Sequence, residues 1–283
     1  EDPKPTVNVN GWATIEKMPE ILRLKIEIPA TGPDMKQALA KLKSKREAAA
    51  KKLKEMGVAE TAISFESAKI AADPAEAMRK RKAMMGNREE ADKAAEEGAK
   101  PPKVNVSAVL QAEWPIKVQD AEELLIFAGD LQDKIKAADL AGLKKEKPSE
   151  EEEEKAAEVR ENFGGYENDR VPPGEPVILY VCKISEQENA KLLADAVAKA
   201  KTRAVQMATA VGMQLDSLMS ITNMEGGPGR GYGMNSMFAG DYQMMQRVRA
   251  FMPPETADNS EAIGVEPKKI THGIGVSLAY KLK

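Results

Sequence analysis

The chain has one cysteine, Cys182, and one histidine, His272, in 283 residues. A lone thiol closes no disulfide within the chain, so cysteine usage does not report the redox compartment. A lone imidazole means that a Ser-His-Asp triad or a two-histidine metal site would depend on His272 alone. Aromatic residues number only 2 Trp, 5 Tyr and 5 Phe, too few to supply stacking platforms for single-stranded nucleic acid. Charge of either sign is balanced, with 42 Lys plus Arg against 45 Asp plus Glu. That balance excludes a basic nucleic-acid footprint over the whole chain. No apolar run approaches the roughly 18 residues of a membrane-spanning helix. A start at Glu1 rather than Met is what a mature chain would show after signal removal.

What the chain does have is centred on Ser185–Ile221. Ser185 and Glu188 carry the spacing of a capping box, in which each side chain satisfies a backbone N–H left over in the first helical turn. Leu193, Val197, Ala200, Ala204, Met207 and Val211 then form one apolar stripe. A ladder of small residues overlaps it at every fourth position, Ala196, Ala200, Ala204 and Ala208, ending at Gly212. Small side chains let a helix lie close on its neighbour. Gly212 reads as the left-handed stop, with Met213 folding back on the last turn, and Leu215–Ile221 as a strand.

The same grammar recurs along the chain. Thr6–Ala13 and Ile21–Ile28 alternate as a strand pair. Asp34 caps a helix whose buried side is expected at Met35, Leu39, Leu42, Ala49, Leu53 and Met56, with Arg46 interrupting it. Gly57-Val58 ends that helix as Gly212-Met213 ends the later one, and a strand follows within Ile63–Ile70. The recurrence suggests an internal pseudo-repeat. Lys103–Trp114 is a strand, and Asp120 or Ala121 opens a second helix with Leu124, Ala128, Leu131, Ile135 and Ala138 inward. Val177–Ile184, apolar on both faces, reads as a covered central strand. Ile270–Leu282 closes the chain, apolar at every even position except His272. The order ββαββαβαββ predicts an α+β fold, three helices on a mainly antiparallel sheet.

Three stretches interrupt the pattern. Residues 72–102 hold seven charges of each sign, and 144–175 hold 11 acidic against 6 basic residues, including the run Glu150–Glu154. Residues 224–267 hold six of the 15 methionines. We read one domain over 6–283 with these as insertions and 1–5 as a lead-in.

The alanine ladder into Gly212, then Leu215 and Ser220-Ile221, resembles the SIMPL family of bacterial secreted or periplasmic proteins of poorly defined function. The opening TVNVNGWATIEKMPE (Thr6–Glu20) and the closing GVSLAYKL (Gly275–Leu282) extend the resemblance to about 170 of the 283 residues. The resemblance implies the same order of elements, a location in the cell envelope, and a homo-oligomer, ring- or channel-like. The insertions set this chain apart from a plain member.

Candidate sites are few. His272 shares a strand face with Ile270, Ile274, Val276 and Leu278, the setting of a core histidine. Cys182 sits in the central strand, a place for an inert thiol. The glycines from Gly226 to Gly233 lack the strand, Lys-Ser/Thr and helix that a phosphate loop requires. Glu150–Glu154 lacks the alternation and turn glycine of a calcium loop and reads as a solvated run. Met234, Met237, Met244 and Met245 could hold Cu(I), since thioethers are soft ligands. The favoured reading of that arm is contact surface. Tyr232, Phe238, Tyr242, Met244, Met245, Val248 and Phe251 combine the aromatic and Met character of protein interfaces. Met244, Val248 and Phe251 fall at helical spacing. The residues thus point to a non-enzymatic protein, which the resemblance to the SIMPL family places in the periplasm or at the cell surface. It is expected to need no cofactor or small-molecule substrate and to self-associate through its insertions.

Overall fold

Alternation along Thr6–Lys17 (β1) and Ile270–Leu282 (β9) produces one antiparallel ladder, with Thr6 opposite Lys281 at one end and Lys17 opposite Ile270 at the other. The computed structural model describes residues 5–70, 104–118, 120–143, 171–224, 251 and 260–283. Its remaining strands are β2 (Ile21–Gly32), β3 (Ile63–Phe65), β4 (Lys69–Ile70), β5 (Val104–Pro115), β6 (Val177–Lys183), β7 (Leu215–Met224) and β8 (Glu261–Gly264). The three α-helices among the described residues are α1 (Met35–Glu55), α2 (Ala121–Ala138) and α3 (Glu186–Ala210). This is the α+β order read from the sequence, with two additions. The strand expected within 63–70 is split into β3 and β4, and β8 lies inside the stretch 224–267 assigned to the third insertion. β8 is part of the sheet, pairing antiparallel with β6 from Tyr180↔Gly264 to Lys183↔Glu261.

The chain divides into two compact units, Glu1–Leu22 with Ile116–Leu125 and Leu179–Lys283, and Arg23–Pro115 with Ile126–Ile178. In the first, β9 lies between β1 and β7, and α3 packs over β1 and β9 while scarcely reaching β7. The layer between them holds Val7, Val9, Ala13, Leu192, Ala196, Ala200, Ala204, Val276, Leu278 and Tyr280. The alanine ladder therefore faces the sheet. Of the larger members of the expected stripe, Val197 packs against this layer, but Leu193, Met207 and Val211 are 43%, 45% and 66% exposed, and Leu192 is buried instead. The cause is close approach. A Cβ on Gly11 of β1 would lie 2.8 Å from the Ala200 Cβ, so helix and strand leave space only for the smallest side chains.

In the second unit, β5 lies between β2 and β3, and α1 rests on β5. Asp34 caps α1 by accepting from the Gln37 N–H at 2.8 Å. The buried residues of α1 are Ala38, Leu42, Ala49 and Leu53, whereas Met35 and Leu39, expected inward, stand exposed. Arg46 lies with its guanidinium 5.4 Å from the centre of the Phe65 ring and donates to the Glu66 carbonyl at 2.9 Å. Arg23 is buried with its Nε 2.7 Å from Glu113 Oε1. The Lys52 ammonium donates to the carbonyls of Ala138 and Asp139 at 2.6 and 2.8 Å, a cation at the end of α2 where unpaired carbonyls collect.

Both glycine stops form as read. Gly57 and Gly212 have φ of 85° and 73°. Val58 N–H donates to Leu53 O and Met213 N–H to Ala208 O, the same bond five residues back in each helix. Each helix is followed by a strand pairing antiparallel with a longer one, β3 with β5 and β7 with β9. The pseudo-repeat is thus a shared construction within each unit.

Candidate functional site

The reactive side chains singled out in the sequence are taken up by structural contacts. His272 is 3% exposed, and its Nε2 lies 3.0 Å from Asn189 Oδ1, joining β9 to the first turns of α3. The Cys182 side chain is fully buried in β6, and its thiol donates to the Met18 carbonyl at 3.2 Å. Burial above all, with the Glu20 charge adding to it, pushes the thiol up to about 11. A thiol held so far above neutrality carries little thiolate and makes a poor nucleophile.

A charged cluster surrounds the start of α3. Glu188 and Ser185 make the capping box: Glu188 N–H donates to Ser185 Oγ at 3.2 Å, and Ser185 N–H donates to Glu188 Oε2 at 2.8 Å. Lys17, at the end of β1, donates to the Lys183 carbonyl at 2.8 Å and pairs with Glu188 at 3.1 Å and Glu20 at 3.4 Å. The Ser185 backbone N–H, then its hydroxyl and Lys17, hold the Glu188 carboxyl down at about 2. Partial burial pulls Lys17 down, but the hydrogen bond and charge of Glu188 outweigh it and leave the ammonium raised. These side chains line a surface depression with Ile184, Ser260 and Glu261. The Lys17–Glu188 pair is thus held in its charged form near neutral pH. What the cluster does is tie β1 to α3.

The other notable surface of this unit is apolar. β7 pairs with β9 so that Leu215 faces Leu282, Leu218 faces Tyr280 and Ile221 faces Leu278. Directly opposed residues share a face, so the layer under α3 continues onto β7. Tyr280 and Leu278 are 8% and 1% exposed, but Leu218 and Ile221 are 50% and 56% exposed. α3 covers the first two strands and leaves the third open. Irregularities of register after Leu215 and Leu218 put these residues on one face at intervals of three instead of two. That spacing hides the strand face from a period-two reading, so sequence reasoning missed the surface.

Of the contact residues proposed for the arm, Phe251 is 7% exposed and belongs to the chain's own interior. Tyr232, Phe238, Tyr242, Met244, Met245 and Val248 lie outside the described residues, as do Met234 and Met237. Among the described residues, no helix is long and apolar enough to cross a membrane.

No curated protein matches the chain. The opening strand β1 lies outside residues 174–280, yet pairs along its whole length with β9, nearly all of which lies inside them. Over residues 174–280, from the approach to β6 through nearly all of β9, the chain matches the family model SIMPL, protein of unknown function (DUF541).

Proposed function

We propose that this protein is a non-enzymatic component of the cell envelope, periplasmic or secreted, that assembles with copies of itself. The observation that carries the reading is the open apolar shelf of β7, with Leu218 and Ile221 uncovered beside the covered Tyr280 and Leu278. Exposed apolar surface continuous with a core marks an interaction site. The structural employment of His272, Cys182 and Glu188 supports a scaffold rather than an active site. The SIMPL match over 174–280 supports the envelope location by its family resemblance. The Met- and aromatic-rich arm is the second contact element in this reading, and a ring- or channel-like closed assembly is the arrangement it favours.

Sedimentation tests the assembly. The intact chain should sediment well above monomer mass, and a chain lacking 226–249 should form smaller species. That deletion spares Phe251 and β8, which belong to the fold. Monomeric mass for the intact chain removes the proposal. Location is tested by fractionating cells that express the natural gene, where recovery in the cytosol alone would contradict it.

A further inference from the structure

We propose that His272 is an acid-sensitive latch, holding the first turns of α3 on β9 while its ring is neutral and loosening that joint when the ring takes up a proton. The proposal goes beyond the assembly reading and holds for a single chain. His272 is the one histidine in the sequence, and imidazole is the side chain whose charge ordinarily changes between pH 5 and 8. Glu188, held at about 2, and Cys182, pushed up to about 11, stay out of that window.

Three features of the site disfavour the imidazolium. The ring is 3% exposed, and burial penalises the charged form. It meets Asn189 in the first turns of α3, the end of a helix that carries positive partial charge. Lys17 stands two residues along β1 from Ile15, the cross-strand partner of His272, on the same face and about 7–8 Å away. With Asn189 Oδ1 as acceptor at 3.0 Å, Nε2 carries the proton of the neutral ring, so this hydrogen bond is complete without ionisation.

The carboxylates on the neighbouring elements are engaged elsewhere or solvated. Glu188 of α3 is held by Ser185 and Lys17, and Glu186 is exposed. On β1, Glu16 pairs in register with Thr271 and so lies on the other face. β8 touches β9 where Gly264 lies against Ile270, and its Glu261 sits three residues away, opposite Lys183. β7 reaches along β9 only as far as Gly275. A base kept neutral in the folded chain contributes stability that is complete above about pH 6.5, the ordinary imidazole value. That stability is lost as pH falls below it.

The test uses the full chain. Between pH 7.5 and 5.5 the urea-unfolding equilibrium constant of the wild type should rise about tenfold. The backbone N–H groups from Asn189 to Leu192 should lose protection from hydrogen exchange over the same range, after correction for the intrinsic effect of pH. His272→Gln keeps a donor for Asn189 and cannot charge, so its constant should change less than twofold. Asn189→Asp sets a carboxylate against the ring and favours the imidazolium, so its constant should fall as pH falls. A merely structural contact gives no such reversal, and either variant decides the matter if the other does not fold. The one imidazole Cε1–H resonance should hold its neutral position down to pH 5.5 in the folded chain and titrate near 6.5 in urea. A folded-state resonance that titrates near 6.5, or a wild-type constant that stays flat, overturns the proposal. So does an Asn189→Asp variant with the wild-type slope, or protection in early α3 that does not follow pH.

Discussion

Gly11 of β1 lies directly beneath Ala200 of α3, and a Cβ on the glycine would collide with the Ala196 carbonyl and come within 2.8 Å of the Ala200 Cβ. Neither obstacle is a flexible side chain: one is helix backbone, the other has nowhere to rotate. Gly11→Ala should therefore destabilise the fold by about 1–3 kcal/mol, the usual cost of overpacking. At roughly 2–4 °C per kcal/mol for a chain of this size, thermal denaturation followed by circular dichroism should register several degrees. An unchanged melting point would show that α3 does not rest on β1 here.

The orientation of α3 has its own test. Ala204→Leu places a large side chain where Ala204 is buried between helix and sheet, and should cost about 1–3 kcal/mol. Leu193→Ala and Met207→Ala remove half-exposed side chains and should stay within about 0.5 kcal/mol of wild type. Urea unfolding midpoints decide between this arrangement and one with the large stripe inward, which reverses the ranking.

The capping box gives a pH dependence of known sign. Glu188 is held at about 2 in the folded chain, below the roughly 4.3 of an unperturbed glutamate. Its charge therefore stabilises the fold fully above about pH 4.3, and the gain fades as pH falls towards 2. Glu188→Gln should be less stable than wild type at pH 7, with the gap closing between those limits. Ser185→Ala should cost about 1 kcal/mol at neutral pH through loss of the cap. A gap for Glu188→Gln that is constant from pH 7 to 2 would show the carboxylate to be unperturbed.

Cys182 should be silent to a thiol reagent at pH 8 in the folded chain and react fully once urea unfolds it. Its complete burial denies access, and a thiol raised to about 11 supplies little thiolate. Fast labelling of the native protein would contradict the packing of β6 against the Lys17–Met18 backbone.

Local chemistry was legible in the sequence wherever it acts over a few residues. Asp34, Ser185 and Glu188 cap as read, Gly57 and Gly212 stop their helices as read, and the doubly apolar Val177–Ile184 run is buried on both faces. What escaped was decided by partners distant in the chain. The sequence offers two nearly parallel lines on α3, and the alanines face inward where the helix closes on β1 at Gly11, far upstream. Lys17 and Glu188 meet across 171 positions, a pairing that no local spacing announces. β8 is too short to stand out within a long insertion, and the register irregularities of β7 disguise a strand face as a three-residue rhythm.

Two of the three long stretches between described elements begin directly after β4 and β7, at residues 71 and 225, and each of those strands follows a glycine stop. Loop closure grows costlier only slowly with length, by roughly 0.6 kcal/mol per doubling. Such places let a lineage add or shed chain almost without thermodynamic penalty while every interior ladder keeps its alignment. Related proteins should therefore differ most in length at these two junctions, and shortened variants cut there should retain the unfolding cooperativity of the parent.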